Sequence, residues 1–277
     1  MSVNNKIGFI QGRLSPIIDG KIQCFPWGYW QNEFFLAHQN DFHLVEWTLD
    51  QDRLYENPLM TEIGRKEIKE LMLKFDIQIP SVTGDCFMQA PFYKEKTVEL
   101  ARQLFQDFKN VITAGGELEV RYIVVPLVDN GKLENEEQSE KLLKGLEELK
   151  PLLTQHAIKV VFESDFKPKE LLRFIEKLDQ AIFGINYDIG NSAALGFDPA
   201  EEIKTYGHRI MNVHVKDRML NGGTVPLGTG NADFPRVFQL LKEINYTGNY
   251  ILQTARAHEG NHTEVLCKYR DRVKAWI

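Results

Sequence analysis

Short apolar runs recur eight times along the chain, and a longer segment with helical spacing follows nearly every one. The runs are rich in β-branched and aromatic residues: Lys6 to Ile10, Phe42 to Trp47, Ile77 to Val82, Tyr122 to Val128, Ile158 to Glu163, Ile182 to Asp188, Ile210 to Val215 and Asn249 to Gln253. Continuous runs of this length are what strands buried on both faces look like, as in a parallel sheet. Between them, Leu100, Leu104 and Phe108 recur at helical spacing, as do Leu142, Leu146, Leu149 and Leu153, then Leu171, Phe174, Ile175 and Leu178, then Val237, Leu240, Leu241 and Ile244. Asp198-Pro199 offers an N-cap followed by proline at the first helical position, Asp233 stands before another periodic run, and Gly115-Gly116 reads as a helix stop. Alternation of this number and size predicts one α/β domain over residues 1–277, a (β/α)₈ barrel, which typically takes about 250 residues. An open doubly wound sheet is the rival. Against it, the first run is followed by QGRLSP rather than a glycine-rich dinucleotide turn.

Composition narrows the function class. With 277 residues, 43% of them hydrophobic, the chain can bury a large core. Lys plus Arg total 33 and Asp plus Glu total 39, a net charge of −6. That balance gives no electrostatic reason to expect binding to nucleic acid or to an anionic membrane. Cys24, Cys86 and Cys267 are widely spaced and form no CxxC pair, which suits reduced thiols in a cytoplasmic protein. The apolar stretch near the start is too short for a signal peptide, and no run approaches the ~18 apolar residues of a membrane helix. A cytoplasmic protein is expected.

In a (β/α)₈ barrel the chemistry sits at the C-terminal ends of the strands. Those ends carry Gln11, Glu46, Asp85, Asp129, Glu163, Asp188, His214 and Gln253. The last four put two carboxylates, an imidazole and an amide oxygen on consecutive strands, a donor set suited to one divalent ion such as Mn²⁺, Mg²⁺, Co²⁺ or Zn²⁺. With open positions, such an ion polarises a carbonyl and holds a neighbouring hydroxyl. Taken singly, each has a plainer reading: Glu163 a solvated strand end, Asp188 an Asx-turn with Gly190 and Asn191, His214 a satisfied core histidine. Lys216, Arg218, Arg256 and Arg13 follow strand ends and would form a positive cluster for a carboxylate or phosphate, aided by backbone N–H groups at Gly228 to Gly230. For Arg218 a loop salt bridge with Asp217 is the plainer alternative. Glu46 with Trp47, and Asp85 with Phe87, would supply hydroxyl acceptors and an apolar platform for a sugar ring. The long first loop, Gln11 to Trp30, reads either as a flap at one mouth or as closure over a helix. His258 and His262 read as surface residues.

The segments VVFES, NYDIGNSAALGFDP, NVHVKDR, VPLGTGNADF and NYILQ resemble the xylose-isomerase-like TIM barrels, over nearly the whole chain. That superfamily includes sugar isomerases, ketose and pentulose-phosphate 3-epimerases, inosose dehydratases and endonuclease IV. The opening GFIQGRLSP with FPWGYW is similar to a subgroup of sugar-phosphate isomerases/epimerases. In the family a strand-five Glu, strand-six Asp, strand-seven His and strand-eight Glu bind one divalent metal. The resemblance implies the first three roles for Glu163, Asp188 and His214, with Glu163 also the catalytic base.

The fourth position departs from the pattern. Gln253 stands where 3-epimerases carry a second glutamate, and in those enzymes two glutamates exchange protons on opposite faces of the substrate carbon. A carboxamide can ligate a metal but cannot serve as a base near neutral pH. The expectation is therefore a metal-dependent isomerase or epimerase acting on a ketose or sugar phosphate through an enediolate, with Gln253 as a ligand only. A one-base isomerisation, or a dehydration of the inosose-dehydratase type, would use Glu163 with Glu46, Asp85 or Lys216, and Glu259 is a remoter candidate for the missing acid. A sugar-binding homologue without turnover is the non-enzyme alternative. Multi-zinc phosphodiester cleavage ranks last, because no histidine stands at strand ends two and three. The resemblance also implies a homo-oligomer.

Overall fold

The computed structural model describes residues 6–257 and 260–277. His258 and Glu259, and the first residues of the chain, lie outside the described residues. Each of the eight apolar runs forms a strand. In chain order the elements are β1 (Ile7–Ile10), α1 (Trp30–Gln39), β2 (Leu44–Leu49), α2 (Glu62–Phe75), β3 (Gln78–Gly84), α3 (Asp85–Gln89), α4 (Val98–Glu117), β4 (Tyr122–Leu127) and α5 (Glu136–Gln155). They continue with β5 (Lys159–Ser164), α6 (Pro168–Ile175), β6 (Phe183–Asp188), α7 (Ile189–Leu195), α8 (Pro199–Tyr206), β7 (Ile210–Val215), β8 (Asp217–Arg218), β9 (Thr224–Val225), α9 (Phe234–Glu243), β10 (Asn249–Leu252) and α10 (His262–Trp276). The large strands are parallel and close in the order β1-β10-β7-β6-β5-β4-β3-β2. β8 and β9 form a small antiparallel ribbon after β7. This is a (β/α)₈ barrel.

The helical stripes read from sequence face the sheet. Leu142, Leu146, Leu149 and Leu153 of α5 are fully buried, and Val237, Leu240 and Leu241 of α9 are buried too. Burying a leucine completely contributes roughly 1.5–3 kcal/mol. Two residues are exceptions: Leu100, 45% exposed on the first turn of α4, and Ile244, 37% exposed just past the end of α9. The Asp198 and Asp233 carboxylates cap α8 and α9, accepting from the N–H groups of Ala200 and Arg236. Gly115-Gly116 does not stop α4, which runs on to Glu117. Gly116 is needed for a different reason: a Cβ there would lie 2.2 Å from Nδ1 of His156, at the end of α5.

Two register shifts place polar side chains inside the barrel. One lies between Leu44 and Glu46 on the β2–β3 edge, the other between Ile185 and Asn186 on the β6–β7 edge. Such irregularities re-aim a side chain locally, and both Glu46 and Asn186 point into one buried hydrogen-bonded group. The first loop does both things expected of it. Its aromatic end packs as core, with Phe25 5.4 Å and Trp30 5.5 Å from the Trp47 ring. Its start is tied to α1, where Glu33 accepts from the N–H groups of Gly12 and Leu14. Burial nevertheless pushes the Glu33 carboxyl above its ordinary range. Between those anchors, Ile22 and Gln23 reach the barrel mouth.

Trp47 and Phe87 are no sugar platform. Trp47 is fully buried and donates to Asn57, while Phe87 stacks on Phe108 at 4.1 Å. The three cysteines are free thiols, and among the described residues no helix is long and apolar enough to cross a membrane.

Candidate active site

A cavity of about 610 Å³ opens at the C-terminal ends of the strands. Its lining includes Thr83 and Asp85, Glu163, Lys216, Arg218 and Gln253, joined by Arg13 and Gln23 from the first loop. The volume suits a small molecule. A second cavity, of about 590 Å³, opens at the opposite end beside Lys6, His43, Arg121 and Asn249. Among the described residues the one three-donor cluster, Glu163 with Asp188 and His214, belongs to the first end.

One donor atom from each of Glu163, Asp188 and His214 lies within 4.8 Å of the other two, and all three residues are buried. His214 Nδ1 is 3.1 Å from Glu163 Oε2 and 4.0 Å from Asp188 Oδ2. A divalent ion with ligand bonds of ~2.0–2.2 Å holds its donors up to about 4.4 Å apart. His214 Nδ1 lies within that span of an oxygen of each carboxylate, and two oxygens and a nitrogen are a donor set suited to such an ion.

Each donor is held by its neighbours. Glu163 Oε1 accepts from Asn191 Nδ2 at 2.6 Å and Oε2 from Asn186 Nδ2 at 3.1 Å. Burial works against the Glu163 charge, but Lys216 and His214 outweigh it and hold the carboxyl down at about 2. Asp188 divides its oxygens. Oδ1 accepts from the Asn191 N–H at 2.8 Å, capping α7, so the Asx-type turn and the facing of the site occur together. Oδ2 lies 2.7 Å from Lys216 Nζ. His214 is fully enclosed, which opposes its charge, yet Glu46 and Glu163 on its two nitrogens push it up to about 10.

Gln253 reaches the same corner through Lys216. Its Oε1 accepts from Lys216 Nζ at 3.0 Å, and its Nε2 donates to Gln23 Oε1 at 3.2 Å. The expected fourth ligand oxygen therefore faces an ammonium. Asp85 lines the cavity as expected and accepts from Gln23 Nε2 at 3.0 Å. Burial, reinforced by the charge of Asp50, pushes its carboxyl up to about 7.

The expected cationic cluster does not assemble as an open anion site. Arg256 lies away from the cavity lining and donates to the Ser15 carbonyl. Arg13 lines the cavity but spends its guanidinium on the carbonyls of Thr254 and Ile22 and on Gln23. Arg218 lines it too, donating to the Gly222 carbonyl and, at 2.8 Å, to Asn191 Oδ1, rather than pairing with Asp217. Asp217 instead takes the N–H groups of Gly228, Gly230 and Ala232, so those expected anion donors are already engaged. Glu46 is buried and lies outside the cavity lining, where a substrate hydroxyl does not reach it.

Two participants carried little sequence signal. Asn191 links Arg218 to Glu163, and its place three residues after Asp188, one helical turn on, is the signal that could have found it. Gln23 joins Arg13, Asp85 and Gln253, and nothing in a loop glutamine announces that.

Comparison with known proteins agrees with this geometry. Residues 34–271 match the family model of the xylose isomerase-like TIM barrel. The chain belongs to that family. An inosose dehydratase of Clostridium botulinum is 25% identical over 252 residues, covering 77% of this chain and 84% of that protein. The L-ribulose-5-phosphate 3-epimerase UlaE of Escherichia coli is 26% identical over 255 residues, with 89% of each chain covered. A crystal structure of D-allulose 3-epimerase from Methylomonas sp. in complex with D-allulose superposes with a TM-score of 0.77 at 14% identity, covering 98% of this chain and 97% of that one. That last likeness is one of fold.

Proposed function

We propose that this family member is a divalent-metal-dependent enzyme that moves a proton next to the carbonyl of a polyhydroxy ketone. The observation that carries the reading is the convergence of Glu163, Asp188 and His214 beneath a sugar-sized cavity. These three residues would hold the ion. When bound, it would polarise the carbonyl and offset the charge of an enediolate. Glu163 is the one member of the trio that also lines the cavity, so it takes the proton from carbon. Gln253 offers no base on the other face. Return of the proton by Glu163 to the neighbouring carbon, with the hydroxyl proton of the first carbon passing to the adjacent oxygen of the former carbonyl, gives an aldose–ketose isomerisation, in which one base serves both carbons.

Dehydration is the second reading, and Lys216 favours it. Its ammonium lines the cavity and is a donor that could protonate a departing hydroxide while Glu163 holds the carbon-derived proton. The inosose dehydratase likeness supports the same reading.

The substrate we infer is the neutral sugar rather than its phosphate. Around the cavity Arg13, Lys216 and Arg218 face Asp85, Asp129, Glu163 and Asp165, with Asp188 beneath, and Lys132 pairs Asp165 at 2.9 Å. A divalent ion would bring that set close to balance, with little positive field left for a phosphate dianion.

The test is deuterium incorporation next to the carbonyl, screened over ketoses and inososes with Mn²⁺, Mg²⁺, Co²⁺ or Zn²⁺ present. Glu163→Gln is expected to abolish exchange while still binding the ion. Unchanged turnover in that variant removes Glu163 as the base.

A further inference from the structure

Glu46 is a buried acid that the reaction leaves unused. It sits on β2, fully enclosed and outside the cavity lining, so it touches no substrate. Yet it is among the most firmly held side chains in the barrel. Oε2 accepts from Ser81 Oγ at 2.6 Å and from Asn212 Nδ2 at 3.3 Å, while Oε1 accepts from Thr83 Oγ1 and lies 2.7 Å from His214 Nε2. The register shift before Glu46 sets it opposite Ser81, and Thr83 follows two residues later on the same face of β3. Asn212 in turn donates to Asn186, which donates to Glu163.

We propose that Glu46 is the positioning residue of this site: it holds Nε2–H of His214, so that the imidazole presents Nδ1 as the metal-ligating atom toward Glu163 and Asp188. An imidazole has two nitrogens, and the hydrogen bond made by one selects the other as ligand. A carboxylate pinned by three other donors cannot swing away, so ring orientation and tautomer are set together. A carboxylate partner also makes the ligating nitrogen more electron-rich than an amide partner does. This inference rests on the metal-site reading above.

The experiment uses the full chain with zinc as the probe. Glu46→Gln keeps the volume and still offers an oxygen to Nε2–H, but carries no charge. By chelator competition its zinc affinity is expected to be about 10–100-fold weaker than wild type, with the metal-free melting temperature moved by no more than about 3 °C. In the zinc-loaded wild-type protein, ¹⁵N resonances of His214 are expected to show a protonated Nε2 and a metal-bound Nδ1, a measurement that needs no variant. Zinc affinity in Glu46→Gln within twofold of wild type, or zinc on Nε2, overturns the positioning role alone. A wild-type chain that binds no divalent ion overturns the metal reading and this inference with it.

Discussion

Lys216 Nζ lies 2.7 Å from Asp188 Oδ2, joining a lysine just past β7 to the last residue of β6. The same ammonium donates to Gln253 Oε1 at 3.0 Å. Lys216 thus occupies the flank of Asp188 and draws on an oxygen that would otherwise be free to ligate. Its positive charge disfavours a second cation close by.

Lys216→Met keeps much of the side chain's length and removes that charge. Divalent-ion affinity is expected to rise about tenfold, equivalent to ~1.4 kcal/mol, as Asp188 and Gln253 become free. Dehydration turnover is expected to fall by about 10²-fold, the smaller end of what a positioned acid or base supplies. Isothermal titration and single-turnover kinetics read the two effects separately. A variant weakened in both would show that Lys216 supports the site rather than competing within it.

Gln253→Glu adds a second carboxylate to the lining of the cavity that Glu163 also lines, without changing side-chain size. Lys216 is already placed to pair with it. The variant is expected to gain epimerisation at the carbon next to the carbonyl, with deuterium entering from solvent, because a second base now faces the carbon. Proton NMR of a ketose incubated in D₂O follows both events. Efficient epimerisation with exchange by the wild type would show that the carboxamide does not limit it.

The barrel was legible because parallel strands buried on both faces must be continuous apolar runs, and eight of them recur with helical segments between. The convergence of Glu163, Asp188 and His214 was legible too, since the ends of consecutive strands share one rim, and these residues stand at or one residue before the ends of β5, β6 and β7. What the spacing did not show was partnership. Glu46 reads as a strand end in the sequence, but β2 runs on three residues further to Leu49, so Glu46 lies mid-strand. The register shift before it turns it to the barrel interior, a feature that leaves no mark in residue order. Arg218 and Arg256 look free in one dimension and are engaged by carbonyls in three. Gly116 reads as a helix stop until His156, forty residues on, is found against it. Local pattern reports an element; the use of a side chain depends on what the fold brings to it.

Phosphate discrimination follows from the cavity's paired charges. Arg13 and Arg218 are held by carbonyl and amide oxygens, Lys216 by Asp188, and Lys132 by Asp165. A phosphorylated ketose is expected to bind at least about tenfold more weakly than its neutral counterpart, a difference of ~1.4 kcal/mol. Competition against deuterium exchange of the neutral sugar measures it. Tighter binding of the phosphate would mean that these cations release their partners for substrate.

Asp85 makes stability depend on pH in a direction opposite to a salt-bridged carboxylate. Burial, with help from Asp50, pushes its folded-state carboxyl up to about 7, while an aspartate in the unfolded chain loses its proton near ~3.9. Between those values the unfolded chain gives up a proton that the folded chain keeps. Stability from this group is therefore fully present below about 4 and declines as pH rises through about 7. Asp85→Asn retains an acceptor for Gln23 and cannot ionise. Relative to wild type it is expected to gain about 1–2 kcal/mol at pH 8, or roughly 3–5 °C in melting temperature, the cavity's solvent reducing what full burial would give. At pH 4 the two proteins are expected to melt within about 1 °C of one another. Calorimetry at the two pH values, with chelator present so that no ion contributes, decides it. An equal offset at both would assign the effect to packing rather than to the proton.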